Sequence, residues 1–126
     1  MKLLLLATIG GALGSGLRYL VNVAAAQWLA PGFPWATFIV NVLGSFLMGA
    51  VVAASIPYFG GSPAMRTFLA TGILGGFTTF SAFTLDAVEL FEREQFGALG
   101  FYLLGSILLS ILALLVGVGV VRMSLR

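Results

Sequence analysis

Four apolar runs alternate with short polar breaks along this chain. Each is close to the roughly 20 residues needed to cross the hydrocarbon core of a bilayer. The runs cover residues 3–28, 35–56, 65–88 and 95–121. Ala30-Pro31-Gly32-Phe33-Pro34 separates the first two, because two prolines and a glycine end one helix and start the next. Pro57 to Pro63, with Gly60-Gly61-Ser62 inside, separates the second from the third, and Glu89 to Glu94 caps the third with charge. The pattern predicts an all-α membrane protein, one domain over residues 1–126 built of four transmembrane helices. The charged start and apolar stretch at Met1 to Ala7 resemble a secretory signal. However, the apolar character continues well past Arg18, which favours a retained first helix.

The third run is the unusual one. Gly75-Gly76-Phe77-Thr78-Thr79-Phe80-Ser81-Ala82-Phe83 places two glycines, two threonines and three phenylalanines inside a segment that otherwise needs only to be apolar. Two adjacent glycines loosen a helix, and the threonines that follow supply groups to satisfy or redirect the freed backbone. In lipid such a break survives only where protein covers it or where it borders a polar cavity. The expectation is a broken third helix beside an ion or solute site at bilayer depth.

Two polar stripes strengthen that expectation. Thr37, Asn41 and Ser45 recur every four residues on the second span, so they share one helical face. Tyr102, Ser106 and Ser110 repeat the spacing on the fourth. Neutral hydroxyls and amides solvate an ion without trapping it as a full charge would. As interhelical glue alone, each such bond contributes only about 0.6 kcal/mol. Phe80 and Phe83, three apart, direct their rings to one side. Aromatic ring edges are electropositive and suit a small anion, whereas ring faces suit a cation. Gly10 with Gly14, and Ser45 with Gly49, have the spacing of small residues that lets helices approach closely. Such short helices enclose little space, and a bundle of this kind is expected to be completed by a second copy.

Composition narrows the function classes. The 126 residues are 60% hydrophobic and 8% charged, with a mean hydropathy of +1.14, whereas soluble domains carry about a quarter charged residues. With no cysteine and no histidine, thiol and imidazole catalysis and most transition-metal sites are excluded. A net charge of +2 without a basic run gives no nucleic-acid footprint. Arg18 is the one formal charge well inside the first span, where it either snorkels to the interface or faces an aqueous vestibule and draws anions. No acid precedes Asp86. Cation- and proton-coupled transporters usually need an intramembrane carboxylate, so a passive anion path is favoured. Lys2, Arg66, Arg122 and Arg126 lie on the side of the termini, against Arg93 and Arg18 on the other. This bias is small, and it weakly places both termini in the cytoplasm.

These residues resemble the small fluoride channels of the CrcB/Fluc family. The likeness is carried by Gly10-Gly11-Ala12-Leu13-Gly14 with Arg18-Tyr19, by Thr37 to Asn41 with Gly44-Ser45-Phe46 and Gly49, and by Gly75 to Ser81 with Phe83. It covers all four spans. The resemblance implies an antiparallel, dual-topology homodimer in a bacterial or archaeal plasma membrane, with two fluoride pores and a central structural sodium ion. On the matching positions, the backbone carbonyls of Gly75 and Thr78 hold the sodium. Phe80 and Phe83 form the aromatic box, Asn41 is the pore amide, and Ser81, Thr37, Tyr102, Ser106 and Ser110 belong to the fluoride path. Arg18 is the vestibule arginine. The small charge bias is what a dual-topology protein would show. One departure is Ala82, where family members often carry threonine between the serine and the second phenylalanine. The expected function is passive export of cytoplasmic fluoride. The competing expectation is a small dual-topology multidrug or proton-coupled antiporter, which would need an early carboxylate. A non-conducting structural subunit is the other.

Overall fold

The computed structural model describes all residues from Met1 to Arg126 and is entirely helical. Helix α1 spans Lys2–Trp28 and α2 spans Trp35–Ala54. The third span begins at Ser62, whose hydroxyl accepts the Met65 N–H at 3.3 Å while Pro63 occupies the first turn. Proline is at home there because its missing N–H would be unpaired anyway. The first half of this span, α3, covers residues 63–77. Its middle, Thr67–Leu74, is a wider π-helical coil, in which the Gly75 N–H reaches five residues back to Ala70. After the break, α4 runs over Phe80–Glu92, and α5 over Phe96–Ser124. Four helical spans are thus long and apolar enough to cross a membrane, the third bent near its centre.

The break lies beyond the glycines. Gly75 keeps helical angles (φ −63, ψ −36), whereas Thr78 (φ −83, ψ 158) and Thr79 (φ −154, ψ 123) are extended. The glycine pair serves packing instead of unwinding: a Cβ on Gly76 would strike the backbone carbonyl of Gly11 in α1. Two helix pairs form the bundle, α1 along α3 and α2 along α5. Both are drawn together by small residues. Gly10 and Gly14 seat on the backbone of residues 68–77, and Gly49 and Gly117 seat on the α2–α5 contact, at Leu114 and Phe46 respectively. Close approach of this kind is how helices gain van der Waals energy where lipid offers no hydrophobic driving force.

The first loop is clamped to the bundle by rings. Phe33 lies 4.6 Å from Trp35, 5.6 Å from Phe101 and 5.5 Å from Tyr102, centroid to centroid. This cluster holds the start of α2 against α5 and leaves Tyr102 fully buried. At the other connection, α4 ends with the Glu94 N–H on Phe91 O and the Gln95 N–H on Leu90 O, both 3.0 Å. That closure puts Glu94 at φ 57, in the left-handed region, where an L-residue is strained by about 1 kcal/mol. Glu94→Gly should therefore raise thermal stability by roughly 1 kcal/mol, read as a higher melting temperature in detergent. A melting temperature at or below that of the parent would contradict the strain.

Candidate functional site

Two extended threonines at mid-span leave backbone groups with no helical partner, and the site is organised around where those groups go. The Asn41 side chain, on the face of α2 turned to the break, meets Thr79 twice. Its Nδ2 donates to Thr79 O at 3.0 Å, and its Oδ1 accepts the Thr79 N–H at 2.8 Å. One amide side chain thus replaces a peptide neighbour for Thr79. Thr79 also caps α4, its Oγ1 accepting the Ala82 N–H at 3.2 Å. Thr78 turns its own hydroxyl back to Leu74 O at 2.9 Å, which also accepts the Thr78 N–H at 3.0 Å.

Two carbonyls lose their helical donors as a result. In an unbroken helix the Thr79 N–H would reach Gly75 O, and the Ala82 N–H would reach Thr78 O. In this structure the first goes to Asn41 and the second to the Thr79 hydroxyl. Their lone pairs are free for another donor or a cation. They belong to Gly75 and Thr78, the positions for which the family resemblance implies a cation-binding role.

Beside the break, α2, α4 and α5 enclose a cleft of about 310 Å³ lined by Asn41, Gly44, Ser45, Thr78, Thr79, Phe80, Phe83, Ser106 and Ser110 with a few aliphatic side chains. No charged residue lines it. The Phe80 and Phe83 rings lie 5.6 Å apart, Phe83 buried and Phe80 76% exposed to the outside of this single copy. Ser106 is 6% exposed, and its hydroxyl has no hydrogen-bond partner. A buried hydroxyl left unpaired is costly, and this one lies at the wall of a cleft.

A second cavity of about 450 Å³ opens toward the far ends of α1 and α4. Arg18, Tyr19, Asn22, Thr37, Ala82 and Asp86 line it, and Thr79 borders both cavities. Arg18 thus lines a polar cavity along with the buried Thr37 and with Asp86. Tyr102 lines neither space. Its ring packs 5.1 Å from Phe83, and its Oη donates to Asp86 Oδ2 at 2.8 Å. The Tyr102 stripe of α5 therefore divides, with the tyrosine tying α4 to α5 and the two serines facing the cleft. Ser81 is exposed and lies outside both cavities, its Oγ 3.3 Å from Thr79 Oγ1. Ala82 borders the second cavity, so a missing threonine hydroxyl would be missing there and not in the phenylalanine cleft.

The central part of Thr79 went unassigned in the sequence. A signal existed, since a threonine three residues before an amide that restarts a helix is a capping pattern. The Asp86 partnership with Tyr102 had no such signal, because the two residues meet only through the α4–α5 packing.

Relatives of the chain give its family. The family model described as "CrcB-like protein, Camphor Resistance (CrcB)" matches residues 5–118. A protein of Agrobacterium fabrum named fluoride-specific ion channel FluC is 50% identical over 117 residues, covering 93% of this chain and 94% of that one. A like-named protein of Rhizobium meliloti is 49% identical over 122 residues, 97% and 98% of the two chains. One of Rhodospirillum centenum is 44% identical over 122 residues, 97% of each. With bacterial relatives and four spanning helices, this is a multi-pass bacterial membrane protein. Alike along nearly its whole length to these proteins, the chain belongs to the CrcB family.

Proposed function

We propose that this protein is a passive, fluoride-selective channel that lets cytoplasmic fluoride leave the cell. Fluoride enters as the neutral acid, dissociates inside and leaks out down its own gradient. The relatives' names give the ion. The observation that carries the reading is the uncharged cleft at a mid-span break, whose lining brings Phe80 and Phe83 together with Ser106, a serine with an unpaired, buried hydroxyl. A small anion there would gain hydrogen bonds from neutral donors and from ring edges, replacing hydration without a trapping charge. Arg18 in the adjoining cavity offers an anion a positive partner on the way in, with the carboxylate of Asp86 in the same lining. The cleft is lined by no carboxylate, and Asp86, which lines the adjoining cavity, is tied up by the Tyr102 hydroxyl, whereas a proton-coupled antiporter needs a free acid at its substrate site.

The working unit of this reading is an antiparallel homodimer with two pores, inserted in both orientations. Support comes from the shape of one copy: Gly75 and Phe80 are exposed at the break although they belong to the centre of a membrane protein. A sodium ion between the two breaks completes it. The Gly75 and Thr78 carbonyls fit that ion, since both have lost their helical donors and carbonyl oxygens substitute for a cation's water shell. When bound, sodium would supply a fixed positive charge that neutralises the converging carbonyl dipoles and ties the two copies together.

Purified protein in liposomes, followed with a fluoride electrode, tests the function. Efflux well above that of empty liposomes is expected, and Phe80→Ile and Asn41→Asp should each depress it. Efflux no faster than from empty liposomes would end the channel reading. Unchanged flux in both variants would remove the cleft as the path.

A further inference from the structure

The sodium reading explains what the two freed carbonyls are for, but not what keeps them free. An amide left unpaired beside a break is costly, and the acceptor closest along the chain is the carbonyl one turn back. For Thr79 that carbonyl is Gly75 O, and for Ala82 it is Thr78 O, their partners in a continuous helix. Each bond would rewind one turn of the break and occupy a lone pair that a cation needs. Two side chains prevent this. Asn41 Oδ1 accepts the Thr79 N–H at 2.8 Å, with its Nδ2 held in place by donating to Thr79 O at 3.0 Å. Thr79 Oγ1 accepts the Ala82 N–H at 3.2 Å. Neither amide has a backbone acceptor.

We propose that Asn41 and Thr79 are positioning residues for the cation site: each draws away the N–H that would otherwise close one of its carbonyl ligands. Asn41 thereby does more than border the anion cleft. It couples α2 to the site that joins two copies, so that the cleft wall and the cation cage are set by one amide. The inference rests on the sodium reading, and its failure is separable from the failure of that reading.

The test is thermal unfolding of the purified protein in detergent, titrated with sodium chloride against N-methyl-D-glucamine chloride at equal ionic strength. Wild type should gain stability with sodium. Asn41→Leu keeps the volume but loses the acceptor, and Thr79→Val does the same for the cap. A returning backbone hydrogen bond competes by about 1 kcal/mol, so each variant should need about fivefold more sodium for half of the gain. Thr79→Ser, which keeps the hydroxyl, should respond as wild type does. If wild type itself ignores sodium, the sodium reading falls. If wild type responds and both variants respond at the same concentrations, the positioning role is overturned. Amide exchange in wild type supplies a measurement that survives any variant that fails to fold. The Thr79 and Ala82 amides should be protected with or without sodium, since side chains hold them. Protection appearing only with sodium would mean that the ion orders the break, and would sink the proposal.

Discussion

Gly14→Ala should unfold or disperse the bundle, costing about 3 kcal/mol. A Cβ at this position would overlap the backbone carbonyl of Ile73 and lie 2.8 Å from the Phe77 amide nitrogen. Both neighbours are main chain in α3, so no rotamer change relieves the contact. The helices must separate, and in lipid their attraction is close packing that falls away with distance. The effect reaches the site because Phe77 is the last helical residue before the break. Pushing it aside shifts Thr78 and Thr79 away from Asn41. Gly119→Ala is the control. Its Cβ would meet nothing within 4 Å, and alanine is the better helix former. Size-exclusion profiles and melting curves of the two variants in detergent should diverge sharply. A Gly14→Ala protein with a normal profile and melting temperature would show that α1 and α3 do not touch backbone to backbone at this crossing.

The contrast between these two glycines bears on what was legible in the chain. The four spans were, because runs of about 20 apolar residues between proline- and glycine-rich turns have few other outcomes. The stripes at spacing four were also legible as faces, and Asn41, Ser106 and Ser110 do share a cleft. The location of the break was less so. A glycine pair suggests unwinding, yet Gly75 and Gly76 stay helical because Gly76 is pressed against Gly11 of another helix. The extended residues are the threonines, and they stay extended through an amide 38 positions away. Periodicity sees neighbours along one helix; it does not see a partner on a different one. The same limit hid the division of the α5 stripe, where Tyr102 turns to Asp86 while the serines below it do not. Ser81, which the resemblance puts on the fluoride path, has its side chain outside the cleft, beside the Thr79 hydroxyl.

Ser106→Ala should make the protein more stable and the channel slower at once. Its hydroxyl is buried and bonds to nothing in the protein. An unsatisfied buried polar group costs on the order of 1–3 kcal/mol, so replacing it with a methyl group should raise stability by about 1 kcal/mol after the small volume loss. A serine kept only for packing would give that gain and nothing else. If the hydroxyl instead donates to a fluoride ion passing between Phe80 and Phe83, its removal takes away a hydrogen bond to a charged partner. Such bonds contribute about 1.5–3 kcal/mol, which converts to a loss of roughly tenfold to a hundredfold in flux. The two readouts, melting temperature in detergent and efflux from liposomes, move in opposite directions only when a group is strained in the resting protein and used by the ion. A fall in melting temperature would mean that the hydroxyl has a structural partner after all. A rise with unchanged efflux would move the fluoride path off this wall of the cleft, and the α5 serines would then have no part in conduction.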